Sequence, residues 1–145
     1  MGQQQLLLVI LVTIIVGIAT VVAINTFSAA SDSANVDAAR QDMLTMASNA
    51  QGWFMKPAMM GGGGNAFDDT NGDAITVEDI CPGTVSGTVC TTENGSYDIQ
   101  SPTETQFTLR GTPATAGGLL TADVIADDID GGIEYDPDSG TTIGS

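Results

Sequence analysis

The residues best suited to chemistry in this sequence are two cysteines, Cys81 and Cys90, in the stretch CPGTVSGTVC. Metal binding needs more ligands than two thiolates, and the chain has no histidine. An even cysteine count in a small exported body reads as a disulfide, with two free buried thiols as the alternative. Closing a loop of this size stabilises a fold by about 2.7 kcal/mol on the chain-entropy model. A second candidate is DDTNGDAITVEDI, where Asp69, Asn71, Asp73 and Asp79 resemble the spacing of a calcium loop. Such a loop wants Gly at its sixth position and an acid at its twelfth. Counting from Asp69 gives Ala74 and Ile80 instead. Two readings stay open: a shortened loop that holds calcium through those four residues, or a turn at Asn71–Gly72 leading into a short segment, Ala74–Ile80. Asn94-Gly95-Ser96 is the sole N-glycosylation sequon, so Asn94 is a candidate acceptor, though short sequons also arise by chance.

Other chemistry finds little support. There is no histidine and no GxSxG, and Asp127–Asp128 sits in a solvated acidic context where a raised pKa is not expected. The four glycines Gly61–Gly64 lack the GK[ST] of a phosphate-cradling loop. An enzyme is not expected. Nucleic acid is not expected as a partner either, because phosphate binding needs clustered bases. This chain carries three bases against 18 acids, a net charge of −15. So acidic a surface reads either as an adaptation to strong salt, which screens carboxylate repulsion, or as plain solubility.

The elements that must position these residues fall into two parts. From Leu6 to Ile24 the chain is apolar apart from Thr13, Gly17 and Thr20, and no charge precedes Asp32. Three readings compete for this segment. A cleaved signal wants a basic start and a small-residue cleavage site, and no Lys or Arg is present ahead of the run. A permanent membrane helix fits the length. The third reading is a membrane span that later becomes the buried stem of an assembly. Downstream, Val36, Ala39, Met43, Met46, Ala50 and Trp53 recur in steps of three and four, broadened by Ala47 and Phe54. This is one helical stripe, read as core and opposed by Asp32, Asp37, Arg40, Gln41 and Asp42. Pro57 is the first proline and ends helical geometry at Lys56. One helix is therefore predicted from about Gln3 to about Met55, with Gly17 its weak point in the apolar half.

After the glycines, a crossing from helix to sheet is expected. ENGSYDIQ, QFTLRG and LLTADVIAD read as strands bounded by Ser-Pro, Thr-Pro and Gly-Gly. Tyr97, Ile99, Phe107, Leu109, Leu120, Val124 and Ile133 are expected to face the helix stripe. The tail EYDPDSGTTIGS reads as polar and peripheral. The expected fold is α+β: a helical stem over residues 1–56, then a small Gly-rich body over 57–145. That body is three or four antiparallel strands on the amphipathic half of the helix.

This layout resembles the type IV pilins and their relatives, archaeal-type pilins included. The likeness rests on GQQQLLLVILVTIIVGIATVVAI and the Val36–Trp53 stripe, and covers about 55 residues. It implies processing at Gly2–Gln3 by a membrane prepilin peptidase and export by a pilus assembly machinery. It implies a membrane-embedded precursor that self-assembles into an extracellular homopolymeric filament. The filament core would hold Leu6, Leu7, Leu8, Ile10, Leu11, Ile14, Ile15, Val16, Ile18, Val21, Val22 and Ile24, with acidic bodies outside. The alternative is a membrane-anchored surface protein or minor pseudopilin of a secretion or uptake machine, with a possible cation site. The sequence departs from the bacterial pattern in three ways. Gln5 or Leu7 stands where many members carry Glu, no basic leader precedes the apolar run, and the mid-stem proline is missing. Removal of a leader upstream of Met1 and retention of Met1 both stay open.

Overall fold

The computed structural model describes residues 2–143; Met1 and its status as a mature N-terminus lie outside them. One helix, α1, runs over Gly2–Met55 and packs its later half on a six-stranded antiparallel sheet, an α+β fold. The strands are β1 (Thr84–Ser86), β2 (Val89–Thr91), β3 (Gly95–Gln100), β4 (Gln106–Pro113), β5 (Leu119–Ile125) and β6 (Ile129–Asp136). Each pairs with the next in sequence, so the sheet is a simple meander. A short 3-10 turn (Ala58–Met60) and a one-turn helix α2 (Val77–Ile80) lie between α1 and β1.

Packing divides the chain into two compact units, one up to Ala34 and one from Asn35 onward. In the first, α1 meets no proline, and Gly17 is its one interior glycine. Its helicity is unbroken from Leu6 to Ile24. The second holds the core. Val36, Ala39, Met43, Met46, Ala47, Ala50 and Trp53 are buried along one face of α1, the stripe expected from spacing alone. They meet Tyr97, Phe107, Leu109, Leu120 and Val124 from the sheet, with Ile99 and Ile133 half-buried at the margin. Strand alternation places these residues together. Phe107 pairs with Val124, Leu109 with Ala122 and Gly111 with Leu120, so one pleat face carries them all. Gly111 is small for a reason. A Cβ there would come within 2.7 Å of the Tyr97 ring and 3.2 Å of the Met43 sulfur.

The end of α1 shows what the glycine run does. A helix leaves its last carbonyls without partners. Here the Trp53, Lys56 and Phe54 carbonyls accept the amides of Gly63, Gly64 and Asn65, each at 2.9 Å. Folding back this tightly leaves no room for side chains. A Cβ on Gly63 would lie 2.1 Å from the Ala66 carbonyl oxygen and 2.4 Å from the Trp53 ring. The loop then inserts Ala66 and Phe67 into the core. Phe67 stacks between Phe54 and Phe107, with ring centroids 4.7 and 5.0 Å away.

Two expectations about the body need correction. The sheet has six strands rather than three or four. The cysteine segment itself forms the β1–β2 hairpin, whose three-residue strands are too short for alternation to reveal. Glu134, Tyr135 and Asp136, expected in a peripheral tail, end β6. That strand is acidic, largely exposed and interrupted by Gly131 and Gly132 at positive φ, so it lacks the composition that marks a strand. The short segment expected after the Asn71–Gly72 turn, Ala74–Ile80, contains α2 over Val77–Ile80.

Candidate functional site

The unit ending at Ala34 is defined by its surface. The expected core residues Leu6, Leu7, Leu8, Ile10, Leu11, Ile14, Ile15, Val16, Ile18, Val21, Val22 and Ile24 are each between 48% and 67% exposed. They lie around the whole circumference of the helix, and none of the described residues buries them. Within Leu6–Ile24 the two polar side chains, Thr13 and Thr20, are internally satisfied. The hydroxyls of Thr13, Thr20 and Thr26 donate to the carbonyls of Val9, Val16 and Val22 at 2.6, 2.8 and 2.9 Å. Leu6–Ile24 therefore asks nothing of water. Its mean hydropathy reaches 3.2 over 18 residues, long and apolar enough to cross a membrane. Gly2 and Gln3, the candidate processing pair, open α1 and are exposed.

The unit from Asn35 onward contains a polar lock between helix and sheet. Asp42 Oδ2 accepts from the Thr92 hydroxyl at 2.6 Å, Asn94 Nδ2 at 3.1 Å and the Tyr97 hydroxyl at 3.2 Å. Asn35 adds a second clasp: its Nδ2 donates to the Asn94 carbonyl at 3.2 Å, and its Oδ1 accepts the Thr115 amide at 3.0 Å. Asp42 was expected on the solvated face with Asp37 and Arg40, and the structure turns it toward the sheet. Helical spacing alone hides this, because Asp42 precedes the buried Met43 at the edge of the stripe. Burial raises the pKa of Tyr97, and the Asp42 charge raises it further. On the other sheet face Arg110 pairs with Asp98, directly opposite in register. Arg110 Nε donates to Asp98 Oδ1 at 3.0 Å, and Nη2 donates to Oδ2. Donating to this carboxylate raises the pKa of Arg110.

Cys81 and Cys90 form a disulfide, with Cα atoms 5.7 Å apart. It ties the end of α2 to β2. Asn94, the sequon residue, is half-buried, and its side-chain amide is already donated to Asp42. The four calcium candidates are not gathered into one site. Asp79 Oδ2 accepts the Thr76 amide at 2.9 Å and the Thr76 hydroxyl at 2.7 Å, capping α2. Asn71 Nδ2 donates to the Gly64 carbonyl. Asp73 and Asp79 line one cleft of about 700 Å³ that Asp69 and Asn71 do not reach. Among the described residues, no three acidic, histidine or cysteine side chains are grouped to hold a metal.

Spacing did not reveal Asp42, Asn35 or Phe67, since their roles come from partners distant in the chain. The tyrosine facing a stripe edge that bears an aspartate was the one available signal. No family model matches the chain, and neither a curated protein nor a solved structure matches it.

Proposed function

We propose that this chain is a structural subunit of a type IV pilus-like extracellular filament. Its apolar stems bundle in a central core, and its acidic bodies face outward. The observation that carries this reading is the stem surface: apolar on every side, and buried by none of the described residues. Such a helix must be covered by lipid or by copies of itself. Both are suited to Leu6–Ile24, whose polar side chains, Thr13 and Thr20, bond internally. Lipid and a helical core are similarly greasy, so close packing decides between them. A membrane-anchored precursor and a filament core are then successive homes for one segment. The disulfide fits a body that works outside the cell.

Electron microscopy of material shed from cells making the protein tests this directly. Helical filaments that contain the chain are expected. Val16→Asp should abolish them, since an unpaired charge in an apolar core costs several kcal/mol. A wild-type chain that stays in the membrane fraction and forms no polymer would favour the membrane-anchored surface protein instead. Normal filaments from the variant would exclude a buried stem.

A further inference from the structure

The charge of the folded body is distributed unevenly. Between Asp42 and Asp68 the only charged residue is Lys56, in a chain of net charge −15. Much of that stretch is on the surface. Along α1, Leu44, Ser48, Gly52 and Met55 follow each other at helical spacing and are exposed. The next turn adds Met59 and Met60. Leu44 is 45% exposed, Met55 and Met60 69% each, and Met59 fully. This is an uncharged, partly apolar strip on a chain of strongly negative net charge, and such strips mark contact surfaces.

Lys56 stands at its end. Among the described residues it is the one base without a carboxylate partner, because Arg40 pairs with Asp37 and Arg110 with Asp98. The opposite character appears around β6. Asp127, Asp128, Asp130, Glu134, Asp136 and Asp138 crowd one exposed run with no base among them. One surface is neutral with a single free cation, and the other is purely acidic.

We propose that these two surfaces are the two sides of one contact between copies of this chain. The strip from Leu44 to Met60 docks against the acidic run 127–138 of the next copy, with Lys56 reaching its carboxylates. This rests on the filament reading and says which body surfaces meet. Charge complementarity selects a second copy as the occupant: an acidic patch meeting its own like is repelled, whereas the neutral strip with Lys56 accepts it. Used reciprocally, two such patches would close a dimer; used once per pair, head to tail, they propagate as a helical polymer, which is the arrangement the filament reading requires.

The chain has one lysine, which makes the test specific. Filaments co-assembled from unlabelled and nitrogen-15-labelled full-length chains would be treated with a zero-length carbodiimide. Mass spectrometry should find Lys56 joined to a carboxylate of 127–138 in mixed-isotope pairs. In parallel, Lys56→Glu should cut filament mass by about tenfold or more by juxtaposing like charges, with Asp130→Lys in the same chain restoring part of it. The disulfide and circular dichroism of each variant confirm folding. Wild-type filaments with Lys56 links only within single chains, or undiminished Lys56→Glu filaments, overturn this contact alone. A wild-type chain that never polymerises overturns the filament reading with it.

Discussion

The two halves of α1 have the same backbone and opposite surroundings. Around Leu6–Ile24 every large side chain is apolar and exposed; around Val36–Trp53 the apolar residues occupy one face and are buried. The difference is periodicity. An amphipathic stripe can be satisfied within its own chain, because one sheet face is enough to cover it. A helix that is apolar all round cannot, since one small sheet covers only one side. The body is thus self-sufficient, and the stem needs a lipid or protein environment. Burial in the body is a matter of folding, and burial in the stem depends on what surrounds the chain.

Substitutions should separate these two accordingly. On the proposed filament reading, the largest contrast is expected from Val16→Asp, which should eliminate filaments while leaving the denaturant midpoint of the body unchanged in detergent. A lowered midpoint would show that stem and body are not independent. The next largest is Phe107→Ala, which removes a fully buried ring beside Phe67. It should destabilise the body by about 3–5 kcal/mol, read as a lower midpoint in urea. Replacing both Cys81 and Cys90 with serine should cost about 2.7 kcal/mol by the same measurement, given the nine-residue separation. An unchanged midpoint would mean that the unfolded chain is already constrained there.

The smallest effect concerns the polar lock. Tyr97 keeps its proton in the fold to higher pH than in the unfolded chain, where phenols ionise near 10.0. Because the folded pKa is the raised one, this stability is complete below about pH 10 and is lost as pH climbs above it, when the unfolded state sheds protons that the folded state holds. Unfolding measured from pH 8 to 11 should show that decline, and Tyr97→Phe should flatten it. A decline that persists in the phenylalanine variant would assign it to other groups.

Much of the fold was legible because it is written locally. The helix boundary at Pro57, the Val36–Trp53 stripe and the three central strands each follow from a few neighbouring residues. The disulfide pairing followed from having only two cysteines. The edges of the sheet were not legible. Thr84–Ser86 and Val89–Thr91 are too short for a pattern, and Ile129–Asp136 is too acidic and glycine-rich to resemble a strand. Pairing with a formed neighbour made strands of them. The calcium reading depended on spacing, and spacing does not say where a carboxylate points: Asp79 is turned back to cap α2.

The sequence by itself therefore determined that the chain has an apolar stem, an amphipathic helix and an acidic sheet-bearing body. Those properties are sums over adjacent side chains and need no partner. Tertiary structure alone decided that Asp42 locks helix to sheet and that Phe67 completes the core. It also decided that Gly63 must be glycine. Each of these depends on groups that come within a few ångströms only after the chain has folded, and hydrogen bonds and steric contacts act over no greater range.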